Sequence, residues 1–156
     1  MPVVLDTNVL ASIATTPPGS ILDFIARSWQ SDLFSVHISS PILTELERTL
    51  KTTPYFNSKL TNEQINTYID LVRTSSVFQE VTTIIDHEEI RKRSSGEINP
   101  EDDYIIATAV DAKAKFLVTG DKPLVRLWSY NSIMIISPAD FVEVLEHEEA
   151  SIMGKT

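Results

Sequence analysis

The sequence predicts an α/β fold, a three-layer α/β/α sandwich around a central, mostly parallel sheet. Three observations predict it. Short apolar runs of strand length alternate with segments whose apolar residues recur at helical spacing, the pattern of strands covered by helices on both faces. The strand candidates Val3-Val4-Leu5, Phe116-Leu117-Val118 and Ile133 to Ile136 are apolar at every position, as strands buried on both sides are. A chain of 156 residues that is 42% hydrophobic is long enough to bury one proper core.

Pro2 to Leu5 reads as the first strand, ending at the polar triplet Asp6-Thr7-Asn8. Val9 to Ala14 reads as a helical turn broken by Pro17-Pro18-Gly19. Ser20 then caps a helix in which Ile21, Leu22, Ile25 and Trp29 share a face. Phe34, Val36 and Ile38 alternate as a second strand. Ser40, with Pro41 at the first helical position, opens a helix carrying Ile42, Leu43, Leu46 and Leu50. After a loop from Thr53 to Lys59, Thr61 to Gln64 spells a capping box for a helix with Ile65, Tyr68, Ile69 and Val72. A third strand is expected from Val77 to Thr82, and the charged stretch from Asp86 to Glu97 is left without an assignment. Beyond Asn99-Pro100, Asp103 to Ala114 reads as a small-residue helix. Phe116 to Thr119 and Ile133 to Ile136 read as strands. Ser137-Pro138-Ala139-Asp140 starts a last helix through Phe141, Val144 and Leu145. The expected organisation is one domain over residues 1–148, with residues 149–156 a frayed tail.

Composition removes several classes of function. With no cysteine there is no disulfide scaffold, thiolate zinc site or thiol nucleophile, which fits a cytoplasmic protein. The apolar runs are far short of a bilayer span and no basic segment precedes them, so neither membrane insertion nor a secretory signal is expected. Four glycines form no phosphate-binding loop, His37, His87 and His147 lack zinc-ligand spacing, and no serine sits in a nucleophile elbow. The formal charge of −9 argues against a nucleic-acid binder, which usually shows a basic footprint. A metal site built from acids reverses that argument, because bound divalent cations invert the local field. An acidic surface kept for solubility, or a basic protein partner, explains the charge equally well.

Ligands in such sheets sit beyond the carboxyl ends of the strands, and acids fall at those places. Asp6 is the first polar residue after the first strand, and Asp121 follows Phe116-Leu117-Val118-Thr119-Gly120. Asp103 begins the small-residue helix, and Glu45 lies one turn into its own helix. Oxygen donors of this kind suit Mg²⁺ or Mn²⁺, with the remaining positions left to water and phosphate. Such an ion lowers the pKa of an attacking water and stabilises developing charge. Each acid alone has an ordinary explanation. Asp6 can cap the turn at Thr7; Asp103, Asp102 and Glu101 complement a helix dipole; Asp121 suits a turn; Glu45 suits a solvated helix face. The combination carries the signal.

These residues resemble the PIN domain family, small metal-dependent nucleases that include the toxins of VapC-type toxin–antitoxin pairs. The matching runs are Leu5-Asp6-Thr7-Asn8-Val9-Leu10, Ser40-Pro41-Ile42-Leu43-Thr44-Glu45-Leu46, Asn99-Pro100-Glu101-Asp102-Asp103 through Ala109, and Phe116 through Lys122, in the family's order from Val3 to about Phe141. The resemblance implies that Asp6, Glu45 and Asp103 are the three core acids and Asp121 the fourth, with Asn8 and Thr119 in support. It implies Mg²⁺ or Mn²⁺ and in-line hydrolysis of an RNA phosphodiester. Asp103 is preferred because it stands four residues before Ala107, and Asp102 is the alternative third acid.

Lys122 and Arg126, close to Asp121, are candidates to meet a phosphate. The run Arg91-Lys92-Arg93 either faces RNA or forms a solvated loop offsetting Glu88 and Glu89. Trp29 and Trp128 are expected to pack, with stacking on a base or on a partner side chain the alternative for Trp128. The expected partners are an RNA substrate, an antitoxin protein, and a second copy of the chain docked through early helices that carry Phe24 and Trp29. The rival class of function is a PIN-fold module that binds RNA or protein without cutting. A receiver-like phosphoacceptor domain fits poorly, because the strand from Val77 to Thr82 ends without an acid.

Overall fold

The computed structural model describes residues 1–94 and 96–154. In chain order it contains β1 (Pro2–Leu5), α1 (Thr7–Ile13), α2 (Ile21–Gln30), β2 (Ser35–Ile38), α3 (Ser40–Thr52), the short α4 (Pro54–Asn57), α5 (Asn62–Ser75), β3 (Val77–Phe78) and α6 (His87–Ser94). A 3-10 turn at Pro100–Asp102 leads into α7 (Asp103–Asp111), followed by β4 (Phe116–Val118), α8 (Lys122–Leu127), β5 (Ser129–Tyr130), β6 (Ile133–Ile136) and α9 (Pro138–Met153).

The strands form one sheet in the order β3-β2-β1-β4-β6-β5, parallel throughout except for β5 against β6. From β1 the chain winds outward through β2 and β3, then returns to place β4 on the other side of β1. The order therefore reverses between β1 and β4, which opens a crevice at their carboxyl ends. Val3, Val4 and Leu5 are fully buried, as are Leu117 and Val118, because helices flank the sheet on both faces. Phe141 of α9 is buried edge-on to Phe34, ring centroids 5.0 Å apart, and lies 5.9 Å from Phe116. Among the described residues no helix is long and apolar enough to cross a membrane.

Local chemistry accounts for most boundaries. Ser20 and Ser137 accept from the backbone N–H three residues on, and Thr61 with Gln64 forms the expected capping box. The unassigned charged stretch holds α6, whose first N–H groups donate to the Asp86 carboxylate at 3.1 and 3.3 Å. Asp86 ahead of His87-Glu88-Glu89 was the available signal for that helix. The cap of α3 is Ser39 rather than Ser40, and its hydroxyl bonds Thr108 of α7 at 2.8 Å instead of a backbone N–H. The expected third strand shortens to Val77–Phe78, because Thr82 and Thr83 turn away to give Asp111 two backbone and two hydroxyl hydrogen bonds. α9 continues as helix through residues 149–153, where fraying is expected, and packs on α2; Lys155 and Thr156 of that expected tail lie outside the described residues.

Candidate active site

The crevice is built around Asp6. Its backbone N–H continues the β1–β4 ladder by donating to the Val118 carbonyl at 2.9 Å, so the residue is fixed at the strand end before its side chain is considered. The carboxylate is buried and both oxygens are occupied. Oδ1 accepts from the Thr7 N–H and Oδ2 from the Thr119 hydroxyl, each at 2.6 Å. The same Thr119 hydroxyl accepts from the Asp121 N–H at 3.0 Å, while the Thr119 N–H extends the β4–β6 ladder to Ile136. One buried threonine therefore ties the ends of β1 and β4 together and sets the two aspartates beside each other. Asp6 also caps α1, so the capping role and the site role coincide.

A cleft of about 430 Å³ opens above this junction, lined by Asp6, Thr7, Asn8, Glu45, Thr49, Asp102, Tyr104, Gly120 and Asp121. Glu45 reaches it from the second turn of α3, held in a fork by Arg48, whose Nε and Nη2 donate at 3.0 and 2.5 Å. Asp102 reaches it from the 3-10 turn, whose geometry Asn99 sets by accepting from the Glu101 N–H at 3.1 Å. Tyr104 brings a hydroxyl 3.4 Å from that of Thr7.

Asp103, preferred on sequence register, does not line the cleft. Its Oδ1 lies 3.0 Å from Nδ1 of His87 on α6. The register argument assumes that helical geometry begins before the acid. In the structure the 3-10 turn tightens the chain at Pro100–Asp102, which presents Asp102 to the cleft and turns Asp103 towards α6. Nor do the two cations proposed as phosphate contacts line the cleft. Lys122 is exposed, and Arg126 is paired with Glu97 at 2.5 Å. Arg91 pairs with Glu88 in the last turns of α6. Phe24 and Trp29 are half-buried, whereas Trp128, expected to pack, is 68% exposed. Thr7, Thr49, Gly120 and Tyr104 complete the cleft and were not singled out from sequence. Thr7, Gly120 and Tyr104 neighbour Asp6, Asp121 and Asp103 along the chain, and Thr49 lies one helical turn beyond Glu45, which was the only available signal.

Burial and mutual repulsion dominate the electrostatics of the three aspartates. Asp102 is pushed up to about 6, first by burial and then by repulsion from Asp6 and Asp121. Burial also raises Asp6, against the opposing hydrogen bonds from Thr119 and Thr7, and it raises Asp121 against the nearby Arg126. Burial pushes the Tyr104 phenol up to about 12, so it stays a neutral donor at physiological pH. Among the described residues that line the cleft, none is basic. Asp6, Asp102 and Asp121 carry like charge into one cleft, with Arg48 engaging only Glu45 and Arg126 lying near Asp121, and oxygen donors of this kind suit a hard divalent cation. Among the described residues no three acids or imidazoles are gathered closely enough to hold a metal ion unaided. Mg²⁺ is usually held by one or two carboxylates together with water and substrate phosphate.

Comparison with known proteins agrees with this architecture. The PIN domain family matches the sequence over residues 2–123. No curated protein sequence matches the chain. Among solved structures, the crystal structure of FitAcB from Neisseria gonorrhoeae resembles it with a TM-score of 0.56 at 19% sequence identity, over 88% of this chain and 98% of that one. At that identity the likeness is one of fold.

Proposed function

The chain belongs to the PIN domain family, and we propose that it is a metal-dependent endoribonuclease that hydrolyses RNA phosphodiesters at this cleft. The observation that carries the proposal is the convergence of Asp6, Glu45, Asp102 and Asp121 on one cleft that has no basic lining residue. When bound there, Mg²⁺ or Mn²⁺ supplies charge stabilisation at the phosphate and lowers the pKa of an attacking water. Asp6, Asp102 and Asp121 are the candidates, one or two of which would hold the ion together with water and phosphate, with Glu45 the fourth acid. Thr119 orients Asp6 and Asp121 together, so its part is positional. Asn8 and the neutral Tyr104 hydroxyl line the rim and offer donors to a ribose or phosphate oxygen.

The toxin role, with an antitoxin protein as partner, rests on the family resemblance of the Asp6-Thr7-Asn8 and Asn99-to-Asp103 runs. Cytoplasmic residence and a homodimer belong to the same proposal, and sedimentation giving a monomer at all concentrations would remove the dimer. A non-cutting RNA- or protein-binding module is the second reading. It is favoured by the wide spacing of the acids and by the engagement of Glu45 with Arg48. One experiment separates the two: incubate the protein with a panel of RNAs in Mg²⁺, in Mn²⁺ and in chelator. The nuclease reading expects cleavage that requires the metal and is lost in Asp6→Asn. RNA binding without cleavage under every metal leaves the binding module.

A further inference from the structure

We infer that Trp128 is a base-stacking subsite for single-stranded RNA beside the acidic cleft. This rests on the ribonuclease reading and extends it to how the strand is held. Trp128 is a large aromatic left 68% exposed. It caps the end of α8 with φ 71° and ψ −45°, close to the γ-turn conformation that is rare and strained for residues with a side chain. The chain nevertheless holds it firmly. Nη2 of Arg93, reaching across from α6, donates to the carbonyls on either side, Leu127 at 3.2 Å and Ser129 at 2.7 Å. The Trp128 carbonyl itself accepts from the Ile135 N–H at 3.0 Å. A strained, braced and exposed indole is a platform rather than a piece of core.

Its position relates it to the cleft. Ile135 pairs with Leu117, two residues before Thr119, so Trp128 stands at the same end of the sheet as the acids. Two strand spacings separate β5 from β4, about 10 Å. Asp121 and Trp128 are the two caps of the same helix α8, again about 10 Å apart along its axis. Although the chain carries a net charge of −9, cations lie on the elements that hold this residue: Arg93, bonded to the flanking carbonyls, exposed Lys92 beside it on α6, and exposed Lys122 at the start of α8. A stacking face with neighbouring cations is how proteins hold single strands with little sequence preference. The indole could instead anchor a protein partner. The cations and the shared helix with Asp121 favour RNA.

The test uses the full chain in an Asp6→Asn background, so that the RNA survives, and a fluorescein-labelled ten-nucleotide RNA of mixed sequence as probe. RNA should quench tryptophan emission in the parent, and the quenching should vanish in Trp128→Phe, where only Trp29 remains. Trp128→Asn should bind the probe roughly thirtyfold more weakly, the middle of the range for one base–aromatic stack. Its melting temperature should be nearly unchanged, since the exposed indole contributes little to the core, whereas loss of a structural residue would lower it. Trp128→Phe, which keeps a ring, should bind within about threefold of the parent. Equal affinity of Trp128→Asn and parent overturns the subsite while leaving the ribonuclease reading intact if the wild-type chain cleaves. A parent that does not bind RNA, together with a wild-type chain that does not cleave it, overturns both.

Discussion

Asp102→Asn should make the protein more stable and less active at once. Without a cation, Asp102 is ionised in the fold against burial and against Asp6 and Asp121, which lifts it from 3.8 to about 6. At about 1.4 kcal/mol per tenfold in proton affinity, that sets a ceiling of about 3 kcal/mol on what its ionisation costs the fold. The side chain still reaches solvent, and screening reduces the figure to about 1 kcal/mol. For a domain of this size the gain corresponds to a rise of about 3 °C in melting temperature at pH 7. The sign follows from the raised folded pKa. The stability associated with protonated Asp102 is fully present below about 3.8 and is lost as pH rises through about 6. In chelator, thermal melts of wild type and Asp102→Asn should therefore nearly coincide at pH 4 and separate above pH 6, with the variant melting higher. Adding Mg²⁺ should raise the wild type and narrow the gap. A variant that melts lower at pH 7, or a difference unchanged between pH 4 and pH 7, refutes the repulsion.

Thr119→Val is nearly isosteric, but it removes the hydroxyl that serves Asp6 and Asp121. It should cost about 2–4 kcal/mol in urea unfolding, and a loss below about 0.5 kcal/mol contradicts the bridging role. Phe141→Ala empties the buried aromatic cluster with Phe34 and Phe116. It should cost about 3–5 kcal/mol, with urea unfolding again the measurement, and a smaller loss means that α9 collapses into the gap.

The parallel sheet was legible because its strands are apolar on both faces, a pattern that only two-sided coverage explains. The address of the candidate cleft followed from Asp6 and Asp121, each the first acid after such a strand. Other features depend on tertiary contacts. Val77 to Thr82 reads as strand by composition, yet the Asp111 carboxylate, 28 residues away from Thr83, pulls the chain out of the sheet. The choice between Asp102 and Asp103 turned on a single 3-10 turn and on His87, 16 residues earlier, claiming Asp103. α6 could be found only by giving Asp86 its capping role. The left-handed Trp128 had no sequence signal, since bulky residues rarely adopt that conformation.

The most direct measurement is RNA cleavage by Asp102→Asn and Asp103→Asn side by side with wild type in Mn²⁺. If the reaction centre is the cleft of Asp6, Glu45, Asp102 and Asp121, Asp102→Asn should fall by about 10²-fold or more, the scale of several kcal/mol of lost charge stabilisation. Asp103→Asn should stay within a few-fold of wild type. A full-rate Asp102→Asn, or an inactive but folded Asp103→Asn, contradicts that assignment.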